Sequence, residues 1–258
     1  MFYEYSVESV PHFRFEELET IPGFVHAFTS RGTDKASGIV NPHEGALRKN
    51  RFLETLSISQ SRTFQTHQVH SAHILEGQDI IPGNSPLDGD GMLIDTPEIF
   101  GIIRTADCVP ILIVDPAMQR VGMIHAGWKG TADHIIRNGI KAFMKQPKTE
   151  IKQLIVAIGP CIRSCCYEVG EDVKQRFIQK GHDINNLFTE RHLNLVKANL
   201  LDAYSLGIAT ILDCTLCTSC QHHSFYSYRR NQDQGRMWML AGFRSSERKV
   251  PLGANSRP

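Results

Sequence analysis

Residues 101–131 read GIIRTADCVPILIVDPAMQRVGMIHAGWKGT and contain a thiol and an imidazole, Cys108 and His125, that can meet only if the chain doubles back between them. The pattern predicts that it does. Residues 109–114 form an apolar run interrupted by Pro110, Asp115-Pro116 is a turn signal, and residues 121–124 form a second short apolar run. Two such runs about a turn predict an antiparallel hairpin. With Val114 facing Val121, counting back sets Cys108 opposite Gly127 and beside His125. Gly127 and Gly130 flank Trp128 and are expected to let the backbone turn tightly. From Ala132 onward, Ile135, Ile136, Ile140, Phe143 and Met144 recur at helical spacing.

A third residue of the same chemistry is His70. Two imidazoles and a thiolate suit Zn²⁺, and three protein ligands with a fourth position open is the catalytic arrangement. An ion held this way acidifies a bound water to a pKa of about 7 and polarises a substrate oxygen. Cys108 and His125 could instead act as a nucleophile pair, the imidazole activating the thiol. The blander alternative is a buried Cys packed as a small hydrophobe beside two hydrogen-bonded histidines. Spacing alone favours that alternative, because no local metal motif is present, and His67 and His73 compete with His70.

The other cysteines cluster late. Cys214, Cys217 and Cys220 are spaced C-x-x-C-x-x-C and are followed by His222 and His223. Such a run supplies one half of a structural zinc set, which needs a second half from elsewhere. Cys161, Cys165 and Cys166 could provide it only by coming close in the fold. The reading preferred from sequence is reduced thiols near a loop, with an adventitious metal or a redox pair as alternatives. Arg229 and Arg230 offer guanidinium forks that match phosphate oxygens, with Arg51, Arg104 and Lys129 as outlying cations. A pair of this kind usually divides into one solvated charge and one structural ion pair. Asp107 could orient His125 as a hydrogen-bond acceptor or cap a turn.

The elements that must position these groups can be read from periodicity. Residues 24–29 alternate as a strand, residues 31–43 are loop-like, and residues 44–56 have helical spacing. Residues 63–75 alternate and predict a strand carrying His67 and His70 on opposite faces. A turn at residues 88–91 precedes a short strand from Met92. Further strands are expected at 151–158, 210–216, 225–230 and 237–243, with helices at 171–179 and 194–205. The chain of 258 residues suits one α/β domain over residues 1–244, followed by a polar, disordered tail at 245–258.

Composition excludes several classes. The net charge of +1 gives no footprint for nucleic acid or for an acidic membrane surface. No apolar run approaches the roughly 20 residues that cross a bilayer, and no secretory leader is evident. The expectation is a cytoplasmic protein with its seven cysteines reduced. Neither a GxGxxG nor a Walker sequence occurs, which removes support for dinucleotide or ATP binding.

Several blocks together resemble the laccase-domain family, whose members are variously called polyphenol oxidase, purine nucleoside phosphorylase or peptidoglycan editing factor. They are Gln68-Val69-His70, Thr105-Ala106-Asp107-Cys108-Val109-Pro110, His125-Ala126-Gly127-Trp128-Lys129-Gly130, Ile158-Gly159-Pro160-Cys161-Ile162, Cys166-Tyr167-Glu168-Val169-Gly170, and residues 225–230. Ser71 stands where the family often has Gly, and residues 88–91 match its ADA segment loosely. The resemblance implies a single α/β domain of layered mixed sheets flanked by helices. It implies a metal site of His70, Cys108 and His125, choosing His70 over its rivals, with zinc as the ion and copper as the alternative. The implied activity is phosphorolysis of adenosine, inosine and methylthioadenosine, with adenosine deamination beside it. A small-molecule nucleoside and phosphate are the expected partners, with Arg229 and Asp107 on the phosphate side. The rivals are a metal- or thiol-dependent hydrolase of a peptidoglycan precursor, a copper-dependent polyphenol oxidase, and a metal-stabilised scaffold.

Overall fold

The computed structural model describes residues 1–5, 10–31 and 42–245. The tail expected at 245–258, beyond Ser245, and most of the loop expected at 31–43 lie outside these residues. The strands are β1 (Phe2–Tyr5), β2 (His12–Phe15), β3 (Phe24–Thr29), β4 (Thr63–Gln65), β5 (Ile74–Glu76), β6 (Gly91–Ile94), β7 (Phe100–Thr105), β8 (Val109–Asp115), β9 (Arg120–Ala126), β10 (Ile155–Ile158), β11 (Phe188–Thr189), β12 (His192–Leu193), β13 (Thr210–Asp213) and β14 (Met237–Phe243). The helices are α1 (Glu16–Glu19), α2 (Pro42–Thr55), α3 (Trp128–Ala132), α4 (Ile135–Met144), α5 (Glu171–Gln179), α6 (Ile184–Leu187), α7 (Leu195–Ser205) and α8 (Tyr228–Asn231).

Twelve strands form two six-stranded mixed sheets, in the orders β1-β2-β3-β14-β7-β4 and β13-β10-β8-β9-β6-β5. Strand alternation explains how they stack. On the second sheet, Met92, Leu112, Val114, Val121 and Met123 point one way and meet Ile103, Met239 and Ala241 of the first. Their neighbours Leu93, Val109, Ile111, Ile113 and Ile124 point the other way, against Ile136, Ile140 and Phe143 of α4 and Ala198 of α7. The outer face of the first sheet, with Ala27, Ile102 and Leu240, is covered by Phe52 and Leu53 of α2. The result is four layers: helix, sheet, sheet, helices. Because β8, β9 and β14 are buried along their whole length, both faces of each sheet contribute to the core. Each buried aliphatic side chain contributes about 1.5–3 kcal/mol.

The predicted hairpin forms with the expected register, Val114 opposite Val121 and Val109 opposite Ala126. Of the expected strands, one is broken and one does not form. Only residues 63–65 of the alternating 63–75 segment are strand before the chain resumes as β5. The reason is where the polar groups go. Gln68 uses its side chain on the Arg104 backbone (2.8 and 2.9 Å), and the next three N–H groups turn to a carboxylate instead of a neighbouring strand. Residues 225–230 are not a strand either. Phe225 and Tyr226 are buried in loop, and Ser227 caps α8 by accepting from Arg230 N at 3.2 Å.

Candidate functional site

The chain steps from the first sheet to the second between β4 and β5, and again between β7 and β8. His70 lies on the first of these passages and Cys108 on the second. His125 is on β9, directly across the hairpin from Pro110. A ligand atom from each of the three lies within 4.8 Å of the others. Cys108 Sγ is 4.0 Å from His70 Nε2, and the two imidazole rings meet edge to face at 4.9 Å. The two rivals of His70 are elsewhere: His67 is exposed and pairs with Asp88 at 2.7 Å, and neither it nor His73 joins the group.

Asp90 organises this site, and the sequence reading missed it by treating residues 88–91 as a turn. Its carboxylate is fully buried. Oδ1 accepts from His125 Nδ1 at 2.7 Å and from His70 N at 3.0 Å. Oδ2 accepts from Val69 N, Ser71 N and Ser71 Oγ at 3.1, 2.6 and 2.9 Å. One side chain thus bends the His70 loop, where His70 takes a left-handed φ of 60°, and fixes the His125 ring with Nε2 free for the site. Burial disfavours the Asp90 carboxylate, but the donors from His125 and Ser71 outweigh it and hold the group below its ordinary pKa. The role expected of Asp107 is filled by Asp90. Asp107 accepts instead from Thr218 Oγ1 and from Arg229 N, both at 2.7 Å. It therefore holds the segment carrying Arg229 and turns away from His125, with a left-handed φ of 88° just before Cys108.

Cys108 and His125 polarise each other. Burial alone would push the Cys108 thiol up, but the facing His125 and His70 imidazoles bring it down to about 6. Burial likewise opposes charge on His125, and the Cys108 sulfur and Asp90 overcome it, raising the ring to about 9. The glycines of the HAGWKG segment have a different role from the one expected. Gly127 has an ordinary φ of −73° and Gly130 lies within α3. Their value is close approach. A Cβ on Gly127 would stand 2.9 Å from His70 Cδ2 and 3.1 Å from Cys108 Sγ, and one on Gly130 would stand 2.6 Å from the Ser71 carbonyl oxygen.

A cleft of about 450 Å³ is lined by Trp128, Tyr167, Val169, Asp172, Arg191 and Arg229 among others. The Arg229 guanidinium lies over the Tyr167 ring at 4.9 Å and also donates to the Glu168 carbonyl. Tyr167 in turn feels the charge of Cys108, which, after burial, raises its phenol above the ordinary value. Of the arginine pair, Arg230 is the one tied into the structure. It donates to the Thr218 and Phe225 carbonyls and pairs with Asp233 at 3.1 Å. Arg51 stands on α2, behind the first sheet. Lys129 lies over Trp128.

The chain belongs to the family described as multi-copper polyphenol oxidoreductase laccase, which it matches over residues 40–244. Among its relatives, a purine nucleoside phosphorylase of Deinococcus radiodurans is 32% identical over 84% of this chain and 88% of that one. A protein named adenosine deaminase RL5, from an unknown prokaryotic organism, is 33% identical over 64% of this chain and 68% of its own. The crystal structure of YlmD from Geobacillus stearothermophilus superposes with a TM-score of 0.84 at 26% identity, covering 94% of this chain and 99% of that one. Among the described residues no helix is long and apolar enough to cross a membrane.

Proposed function

We propose that this protein is a purine nucleoside phosphorylase. It would cleave adenosine, inosine and methylthioadenosine with phosphate to free base and ribose 1-phosphate, with adenosine deamination as a side activity. The observation that carries the reading is the convergence of His70, Cys108 and His125; none of the three lines the cleft walled by Arg229 and Tyr167, and the link between the two is Tyr167, whose phenol feels the charge of Cys108. The names of the relatives support the substrate class.

The donor set fits a zinc ion. It offers two imidazole nitrogens and a sulfur already drawn toward the thiolate, one imidazole held by a buried carboxylate, and a glycine cradle at Gly127 that a Cβ would fill. When bound, such an ion supplies Lewis-acid polarisation and an acidic water. The rest falls to the chain. Asp90 keeps His125 in one tautomer. Arg229, steadied through Asp107 and Tyr167, holds phosphate at the cleft wall. There the phosphate meets the positive charge that grows on the ribose as the N-glycosidic bond breaks, and attacks the anomeric carbon. Multi-copper oxidation, which the family description names, needs several metal centres rich in His. Among the described residues His70, Cys108 and His125 are the one such group that contains histidine.

The test is a nucleoside panel incubated with and without phosphate, read by chromatography of the released bases. Phosphate-dependent release of adenine from adenosine is expected from the wild type and is abolished in Cys108→Ala and His125→Ala. A wild-type protein that yields no ribose 1-phosphate from adenosine and phosphate would overturn the reading.

A further inference from the structure

Four of the cysteines left over by the site described above are brought together by the fold. Strands β10 and β13 run parallel, Ile158 beside Asp213. Their pairing continues past the strand ends as a bridge between Cys161 and Cys217, with Thr218 N donating to the Cys161 carbonyl at 3.0 Å. The two segments that follow then close on each other. Cys165 and Cys166 come from one, Cys217 and Cys220 from the other, and all four sulfurs lie within 4.8 Å of one another. Cys220 Sγ is 3.6 Å from that of Cys165 and 3.4 Å from that of Cys166. Cys214, which opens the C-x-x-C-x-x-C run, is outside the cluster, buried with its sulfur 3.7 Å from Arg163. His222 and His223 are outside it too, so the second half-set that the sequence lacked comes from Cys165 and Cys166.

We infer that Cys165, Cys166, Cys217 and Cys220 form a structural tetrathiolate zinc site, separate from the site of His70, Cys108 and His125. With Zn–S near 2.3 Å, a tetrahedron of sulfurs has edges of about 3.8 Å, close to the separations present. A disulfide requires about 2.05 Å and would leave two of the four thiols without a role. Binding displaces the thiol protons to solvent and leaves a doubly negative cluster.

The location gives the site its purpose. Tyr167, which follows Cys166, lines the cleft. Thr218, which follows Cys217, donates to Asp107 beside Cys108, and its carbonyl accepts from Arg230. A zinc ion joining the two segments would brace the cleft wall that carries Tyr167 and Arg229. The inference does not depend on which reaction the cleft supports.

The experiment is metal analysis by mass spectrometry on full-length protein purified without added metal. About two zinc ions per chain are expected in the wild type, and about one in each of Cys108→Ala and the double variant Cys165→Ser/Cys220→Ser. Should the double variant not fold, cobalt loaded into Cys108→Ala reads the same site. The intense sulfur-to-cobalt charge-transfer band of a tetrathiolate is the expected result. Three results would each overturn the assignment: no metal in Cys108→Ala, a Cys166–Cys220 disulfide in a non-reducing digest, or iron in place of zinc.

Discussion

Replacing Asp90 with Asn changes one oxygen to an amide nitrogen, and the geometry leaves that nitrogen no good place. The native carboxylate takes five donors, two on Oδ1 and three on Oδ2. If the amide faces the Oδ2 side, Val69 N and Ser71 N lose their acceptor and the His70 loop is released. If it faces the Oδ1 side, His70 N is orphaned and the amide meets the His125 Nδ1–H. His125 can relieve that contact only by moving its proton to Nε2, the nitrogen the site needs free. Either way about two hydrogen bonds to a charged group are lost, each worth about 1.5–3 kcal/mol, for a total of about 3–6 kcal/mol. The expected signature is a lowered melting temperature and a 10- to 100-fold weaker hold on metal at this site. The assay is zinc retention against a chromophoric chelator, taking as this site's share the difference between wild type and Cys108→Ala. Asp88→Asn, whose native carboxylate pairs with exposed His67, serves as the control and should leave the retention unchanged. An Asp90→Asn protein that melts with the wild type and retains zinc equally would refute the role given to Asp90.

Three further outcomes are expected. Gly130→Ala would ordinarily stabilise a helix by up to about 1 kcal/mol. Here the new Cβ meets a backbone oxygen at 2.6 Å, and overpacking costs about 1–3 kcal/mol, so thermal melting should show a less stable protein; a higher midpoint would show the contact to be harmless. Arg229→Ala should raise the KM for phosphate about 10- to 100-fold, the value of a lost charge-assisted bond. An unchanged KM in initial-rate kinetics would assign phosphate to another cation. Buried His26 accepts from Phe15 N at 2.8 Å, and burial, then the charges of Arg14 and His12, lower its pKa from 6.5 to about 3. The unfolded chain therefore takes up a proton below pH 6.5 that the folded chain refuses. Stability present above pH 6.5 should fall by about 1.4 kcal/mol per pH unit down to about pH 3. Urea unfolding at pH 7.5 and 5 should show a drop smaller by about 2 kcal/mol in His26→Gln, whose amide oxygen can still accept from Phe15 N. Equal drops would mean that His26 is not the group responsible.

What could be read from the sequence was local. The hairpin register came out correctly because Asp115-Pro116 fixes the turn and alternation does the rest, so Cys108 and His125 were already neighbours on paper. Helix α5 and strand β14 were legible for the same reason, their apolar spacing being uninterrupted. His70 was not legible from pattern, because the alternation of residues 63–75 is that of a strand, whereas their backbone donors are claimed by Asp90 some twenty positions on. The selection of His70 came from family resemblance alone. The cysteine cluster was obscured for a related reason: its halves adjoin only because β10 and β13 lie side by side, and no spacing within the 214–220 run announces that. Asp107 misled because it precedes Cys108 in the chain, while its carboxylate is directed by the left-handed backbone toward Thr218 and Arg229.

His70 and Cys108 lie on the two connections by which the chain passes from the first sheet to the second, between β4 and β5 and between β7 and β8. His70 and Cys108 therefore reach each other only after the layers have docked, and no half of this protein can hold an ion there by itself. The four late cysteines need only β10 and β13 alongside, a much smaller assembly. If both sites bind ions as proposed, the thiol cluster would be open to filling on a partly built chain, and the histidine-containing pocket would accept its ion last.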